Sequence, residues 1–480
     1  MDKLLFDRVT LCLKEIESNP IFQYKLENEY LRIIRYSEST FKKYKYFLSN
    51  NVFNALMIWM LFIPLSLIIS LVNISFVLLF PGHYPKISKK KLDCLFISHA
   101  TKSNPNHKGE DRIYGHLNKA NRKYTSATLY LNHFSILSFK KPKLNQSKTK
   151  YLLSKNLPLK DSILVIILIN INAIFAYFRI TFSLLSRKNS NLAMQLGYLY
   201  NQVSRRTISN HFIGKQISKI LNETIVRNIV LTFEGHSYEL VIQKKAELVK
   251  FKPRIFAYQH SPISISQIHN LRFIQNQCHA ILFSSKHVQK WFYAHENISK
   301  SKLVLIGSNK SIGIIQKSFN KNTFLIAPEG NNRMVSEFIN IVLLLKQSVY
   351  KSQIIFRIHP DMYLNLKNMA KLSAIRKQFK IHISDGSLDK DLMISEFCIY
   401  RGSSVGLESI NYGCKPIFYG TQSERKIVDP LALTNLSLKN KKMSVMKDQK
   451  YLFYYNINEK FEYYNKLDVK KFIVLIKTKD

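Results

Sequence analysis

Acidic side chains are scarce in this 480-residue chain: 31 Asp and Glu stand against 72 Lys and Arg, a formal net charge of +41. Such a surface is unsuited to cationic partners and suits anionic ones: nucleic acid, an acidic membrane face or phosphorylated ligands. The lysines are spread along the whole chain, so the excess alone selects none of these. Cysteine is sparse too. Cys12, Cys94, Cys278, Cys398 and Cys414 lie far apart with no CxxC pair, which argues against a disulfide framework and a Cys-rich zinc site. Cys398 and Cys414 lie in apolar surroundings and read as core thiols, in keeping with a reducing cytoplasm. Phosphate cradles are missing: there is no GxxxxGK[ST], and no GxGxxG follows a strand-like segment, so ATPase and dinucleotide readings lose their support. A GxSxG elbow, a DxD-like acidic pair after a strand, and Cys/His metal spacing are also lacking. No internal repeat is visible. The first fifty residues carry no apolar h-region, so no cleavable signal is expected; they read as amphipathic helices.

Charge of either sign vanishes between Tyr46 and Pro85. Within that gap Val52–Phe80 is almost wholly apolar, and at 1.5 Å per residue it would reach ~43 Å, more than a ~30 Å hydrocarbon layer needs. Lys42, Lys43 and Lys45 precede it, Lys86 and Lys89–Lys91 follow it, and Pro64 lies inside it. A segment without a polar stripe is expected to contact a membrane, and flanks of equal sign leave open a single span or a hairpin dipping in from the cytoplasmic face. A second apolar run, Ile163–Phe178, stops at Arg179 and reads as a buried or interfacial helix. Two spans would put residues 81–160 across the membrane, although LDCLFISHA there reads as the first strand of the main domain.

From about residue 92 the pattern becomes strand, loop, helix, repeated. Short apolar segments at Leu95–Ser98, Leu129–Asn132, Ile229–Phe233, Ile255–Gln259, Ala280–Ser284 and Leu303–Ile306 form one set. A second set comprises Phe324–Ala327, Ile354–Ile358, Ile381–Ser384, Phe397–Tyr400 and Pro416–Tyr419. Unbroken apolar strands alternating with helices, such as the periodic Met334–Val349, predict parallel sheets covered on both faces. The fold expected is α/β: two doubly wound Rossmann-like domains facing a cleft, preceded by an apolar membrane-associating helical segment. The divisions expected are 1–91 helical and membrane-associating, 92–315 the first domain, 316–440 the second, and 441–480 a basic helical tail.

Ligands of open parallel sheets bind at the carboxyl ends of the strands, where this chain places small polar loops. In RGSSVGLES a strand ends at Tyr400, Gly402 allows a tight turn, and Ser403 and Ser404 open a helix whose N-terminus and hydroxyls suit an anion. Glu408, one turn on, is placed to accept from ribose hydroxyls. His359 in FRIHP ends another strand and suits a phosphate or a leaving group; the intervening length lets it and the serines share neighbouring strand ends. His116, His133, His236 and His260 stand at or near other such loops.

IFRIHP and YRGSSVGLESINYGCKPIFY resemble the HP and serine-pair motifs of bacterial surface-carbohydrate glycosyltransferases of GT-B architecture, in particular the sialyltransferase-like group. SHATKSN, EDRIYGHL, TFEGHSYE, YQHSPIS and IAPEG are similar to companion motifs of these proteins, and the likeness spans about residues 92–435. It implies transfer of an acidic sugar, of nonulosonic acid or 3-deoxy-manno-octulosonic acid type, from a CMP-sugar to a glycan acceptor in capsule or lipopolysaccharide synthesis. No metal or other cofactor is implied. His359 would hold the donor phosphate and assist CMP departure. Arg401, Gly402, Ser403, Ser404, Glu408, Glu329 and Gly330 would form the donor site. Glu234 would be the base, although Phe233 stands where the family motif has a first acid. Arg112, His236 and His260 would line the acceptor cleft, with Arg112, Lys244 and Arg401 at its mouth. Tyr400 stands where a retaining E-x7-E pattern ending at Glu408 needs its first acid. The expected partners are a nucleotide-sugar, a lipid-linked glycan and the cytoplasmic face of the bacterial inner membrane, without nucleic acid. A polyol-phosphate transferase using a CDP-alcohol and a non-enzymatic basic binding protein remain the alternatives.

Overall fold

In KLDCLFISHA, residues Cys94–Ser98 are buried without a break, and a strand covered on both faces needs helices above and below its sheet. The structure, a computed structural model, meets that need twice. It describes residues 52–478 apart from 102–103, 106–109, 116, 118–123, 133–148, 186–194, 196–197, 200, 312–319, 331, 349–351, 360–363, 435–437, 445–450 and 456–460. The helices expected in 1–50, and His116 and His133, lie outside the described residues.

The elements of the first part are α1 (Val52–Leu79), β1 (Lys91–Ala100), β2 (Ser126–Asn132), β3 (Lys150–Leu152), α2 (Leu159–Leu185), α3 (Arg205–Glu223), β4 (Ile225–Thr232), α4 (Ser237–Glu247), β5 (Arg254–Gln259), α5 (Ile265–Asn276), β6 (Ala280–Phe283), α6 (Lys286–His295) and β7 (Leu303–Leu305). The strands form one parallel sheet in the order β3-β2-β1-β4-β5-β6-β7.

The second part holds β8 (Thr323–Ala327), α7 (Asn332–Ser348), β9 (Gln353–Arg357), α8 (Leu366–Phe379), β10 (His382–Ser384), α9 (Leu388–Ile394), β11 (Phe397–Tyr400), α10 (Val405–Asn411), β12 (Lys415–Gly420), α11 (Gln422–Val428), β13 (Leu438–Ser444), β14 (Tyr451–Tyr455) and α12 (Val469–Lys477). Its order is β10-β9-β8-β11-β12-β14-β13, parallel through β12 and antiparallel beyond. Both domains are therefore doubly wound, as expected. The order reverses between β1 and β4 in the first sheet and between β8 and β11 in the second, so each domain has a crevice at that point.

Three expectations need correction. The tail from 441 is not simply helical: β13 and β14 extend the second sheet as an antiparallel edge, and α12 follows. That helix packs back on the first domain, where Phe472, Ile473 and Ile476 share a cluster with Cys94, Phe96 and Phe256. Arg254 Nη2 donates to the Ile476 carbonyl at 2.8 Å. The second apolar run is a helix, as expected, but its extent changes: it belongs to a 27-residue helix, because Arg179, exposed on its outer side, does not end it. The two long helices run antiparallel, with Phe62 stacked on Tyr177 at 5.1 Å and Ser70 Oγ donating to Asn170 Oδ1 at 2.6 Å. Finally, His359 and the serine pair are not on neighbouring strands, since β8 lies between β9 and β11.

The two domains meet through Tyr463, Tyr464, Leu407, Ile410 and Ile263 in one apolar cluster. Lys310 Nζ, after β7, pairs with Glu408 Oε1 at 2.8 Å across that junction.

Candidate functional site

At the first crevice, Glu234 follows β4 and is buried. Three imidazoles converge on its carboxylate: His236 Nε2 at 3.0 Å, His260 Nε2 at 3.5 Å and His99 Nε2 at 3.7 Å. They come from the loops after β4 and β5 and from β1, which the strand order makes neighbours. Burial alone would raise the Glu234 carboxyl; the charges of His260, His236 and His99, with the His236 hydrogen bond, outweigh it and hold the group well below the usual carboxylate range.

The loop bearing Glu234 is fixed from behind. Gly235 has φ +85, open to glycine at no cost. Glu239, in the first turn of α4, accepts from the backbone N–H of Gly235 and of His236, each at 2.9 Å, and from Thr232 Oγ1 at 2.5 Å. A helix N-terminus leaves such donors without intrahelical partners, and a first-turn Glu is suited to take them. Burial pushes the Glu239 carboxyl up to about 7. Tyr238 Oη shares a hydrogen bond with His99 Nε2 at 2.9 Å and another with Thr232 Oγ1 at 2.8 Å. The histidine cluster is thus built on a rigid turn, with His236 its most exposed member at 24% against 13% and 15% for His99 and His260.

At the second crevice three loops meet. Gly330, after β8, lies so close to His359, after β9, that a Cβ on the glycine would sit 3.3 Å from the imidazole Cγ. Gly402, after β11, has φ +60, and a Cβ there would meet Glu329 Oε1 at 2.5 Å. Arg401 is 2% exposed, its guanidinium held by Glu329 Oε1 at 3.3 Å and Glu424 Oε1 at 3.1 Å. Glu424 in turn accepts from Thr421 N at the start of α11. The α10 turn is set by Ser403 Oγ, which accepts from Val405 N at 3.3 Å; Ser404 makes no side-chain cap bond. Gly406 lets the helix sit on the Tyr400 ring, 2.4 Å from where its Cβ would be. Tyr400 Oη donates to Asp429 Oδ1 at 2.8 Å, and Tyr455 donates to the other oxygen. Burial raises the Asp429 carboxyl to about 6 despite these donors.

These positions alter the expected roles of several residues. Glu234, His236 and His260 come together at one crevice, while Glu329, Gly330, His359, Gly402, Ser403 and Ser404 come together at the other. Arg401 is not a mouth residue: two carboxylates hold it inside the second domain. Glu408 is engaged by Lys310 at the domain junction. Lys244 lies in the last turn of α4, paired with Glu247 at 3.1 Å. Arg112 is exposed on the loop after β1, where its N–H donates to Asn104 Oδ1. Neighbouring Asp111 is the buried anchor of that loop, accepting from the N–H of Ile113 and of Tyr114 at 2.8 Å.

Sequence reasoning placed His99, Tyr238 and Glu239 in the polar stretches SHATKSN and TFEGHSYE but gave none of the three a role. His99 lies inside its strand and not after it; the signal was its place at the carboxyl end of β1. Among the described residues, no group of three or more His, Cys, Asp or Glu is arranged to hold a metal ion. A cavity of about 350 Å³ lined by Arg254, Asn276, His279 and Lys302 opens at the amino ends of β5 and β6, the edge opposite the histidines.

No family model matches the chain, and no curated protein matches it. Solved structures do. A UDP-GlcNAc 2-epimerase of Methanocaldococcus jannaschii, in complex with UDP-GlcNAc and UDP, is 13% identical over 68% of this chain and 83% of its own, with a TM-score of 0.42. A UDP-N-acetylglucosamine 2-epimerase from Rickettsia bellii is 11% identical over 66% and 76%, with a TM-score of 0.38. A UGT transferase from Siraitia grosvenorii, in complex with UDP, is 8% identical over 67% and 80%, also with a TM-score of 0.38. The two strand orders, and not these distant likenesses, carry the description of the fold as two doubly wound domains of GT-B-like arrangement.

Proposed function

We propose that this chain is a glycosyltransferase of bacterial surface-polysaccharide synthesis, moving an acidic sugar from a CMP-sugar to a lipid-linked glycan at the cytoplasmic face of the inner membrane. The observation that carries transfer chemistry is the pairing of two unlike crevices: a carboxylate ringed by imidazoles in one domain, and a neutral turn of glycine and serine beside an exposed histidine in the other. The CMP-sugar itself rests on the motif resemblance.

In this reading the acceptor hydroxyl lies at the first crevice. Its oxygen attacks the anomeric carbon, and the bond from that carbon to the CMP phosphate breaks with its electron pair left on the phosphate. The hydroxyl proton passes to an imidazole in its neutral form, most readily His236, the most accessible of the three. Glu234 is too firmly ionised to be a strong base and instead stabilises the imidazolium that forms. His359, Ser403 and Ser404 meet the phosphate as its charge grows.

The test is thermal unfolding of the full chain in detergent with CMP, CDP or UDP. CMP should raise Tm, and Ser403→Ala with Ser404→Ala should remove that shift. A shift with UDP alone would discard the CMP-sugar reading. Consumption of a CDP-alcohol, with no CMP-sugar turnover, would favour the polyol-phosphate transferase.

A further inference from the structure

The α1–α2 pair is built inside out. Ser70 and Asn170 bond to each other between the helices, while Leu71 (64%), Leu79 (72%) and Phe175 (63%) face outward with Leu67, Ile167 and Ile171. A water-soluble hairpin would reverse that arrangement; a hairpin in hydrocarbon needs its polar groups paired internally. The apolar stretches run Met60–Leu79 and Leu159–Thr181, each ~30 Å or more in helix. Basic residues gather at the end nearest the first domain. Lys160 lies in the first turn of α2, Arg205 lies over the Phe76 ring at 5.9 Å beside exposed Arg206, and Lys219 lies over the Tyr84 ring at 4.3 Å. Apolar faces that end in a cationic collar fit acyl chains beneath anionic headgroups.

The chain path limits how far the pair can go. It is tied to the domain at three points. Asn156 Nδ2 donates to the Phe80 carbonyl, the Gly82 N–H donates to the Leu157 carbonyl at 3.0 Å, and Arg205 donates to Asn156 Oδ1. Asn73 Nδ2 also donates to the Val203 carbonyl at 3.4 Å. Whatever distance α2 travels from the domain, residues 186–204 must bring the chain back. If α2 crossed the bilayer, so would this return. It begins SRKN, and seven of residues 189–204 are Asn, Gln or Ser. Sixteen residues of helix span only ~24 Å, short of a ~30 Å hydrocarbon layer; Gln195 and Gln202 are buried in the protein, and any of these polar groups left uncovered is costly in hydrocarbon.

We propose that α1 and α2, too long at ~30 Å or more to stand upright in half of a ~30 Å hydrocarbon layer, lie tilted within one leaflet of an anionic membrane and do not cross it, the collar resting on the headgroups. The inference rests on the membrane part of the reading above and is independent of the transfer chemistry. The full chain is mixed with vesicles of phosphatidylethanolamine and phosphatidylglycerol and floated. It should float with them and bind pure phosphatidylcholine at least about tenfold more weakly, and Leu71→Glu with Phe175→Glu should abolish flotation. If wild type does not float, or the double variant floats as well as wild type, the membrane face is refuted. Leaflet is read separately. In a Trp59→Phe, Trp291→Phe background, a single Trp at Leu61, Leu71 or Leu79 is exposed to brominated lipid confined to one leaflet. Quenching of all three from the outer leaflet alone is expected. Quenching of any of them from the inner leaflet would overturn the one-leaflet inference while leaving membrane binding intact.

Discussion

The two crevices carry carboxylates at corresponding places, just after a central strand, and treat them in opposite ways. Glu234 follows β4 and meets three imidazoles that reach the crevice. Glu329 follows β8 and meets Arg401, a buried guanidinium that also holds Glu424. A guanidinium stays charged at all working pH, so Glu329 is locked as part of the scaffold. An imidazole exchanges its proton near neutrality, so the charge around Glu234 can change during a reaction. In the proposed reaction the first crevice moves a proton, while the second holds a ligand against backbone, two hydroxyls and His359, with Glu329 kept as an anion by Arg401.

The largest effects expected from this contrast are on turnover. Glu234→Gln and His236→Asn should each lower kcat by ~10²–10⁴ with donor affinity little changed, since in the proposed reaction each removes a group that takes part in proton transfer. The pH profile separates their roles. Without the carboxylate, imidazolium near it is disfavoured, so the acid limb should move to lower pH in Glu234→Gln. His236→Asn should lose that limb. Wild-type turnover in both variants would empty the first crevice of its function. A stability loss is the next effect in size. Arg401→Met takes the guanidinium away from buried Glu424 and partly buried Glu329, and breaking a buried pair from one side costs about 3–5 kcal/mol. Urea unfolding measures it. Adding Glu329→Gln and Glu424→Gln should recover much of the loss, because the deficit is stranded charge. Should Arg401→Met unfold no sooner than wild type, the second crevice is not locked as described.

The strands were legible because each sits between two helical layers and is apolar nearly throughout, as in Ala280–Phe283, buried at every position. Two of the three missed strands break that rule. Lys150–Leu152 is a three-residue edge, and Leu438–Ser444 carries three lysines in seven residues, a composition suited to an exposed edge strand. Arg179 does not interrupt α2 because its side chain lies on the outer face, a matter of helical phase that a local run of apolar letters does not reveal. At the site, Glu234, His236 and His260 were legible as polar residues after strands. The burial of Arg401 was not. It depends on two carboxylates, 72 residues before it and 23 after, arriving at one point, and only the strand order brings them there.

The smallest effect concerns a third carboxyl, Asp429, which ties β11 to β14 through Tyr400 and Tyr455. Burial raises it from 3.8 to about 6, so the fold prefers it protonated. A group raised on folding gives its full stabilisation below its unfolded value and loses it as pH rises through its folded value. Wild-type stability relative to Asp429→Asn should therefore fall between pH 3.8 and about 6, by at most about 3 kcal/mol, and stay level above that. Chemical unfolding across this range reads the difference directly. A flat difference would mean that the two tyrosine hydroxyls stabilise the ionised carboxylate enough to cancel its burial. Asp429 would then resemble Glu329, a charge held permanently by its neighbours.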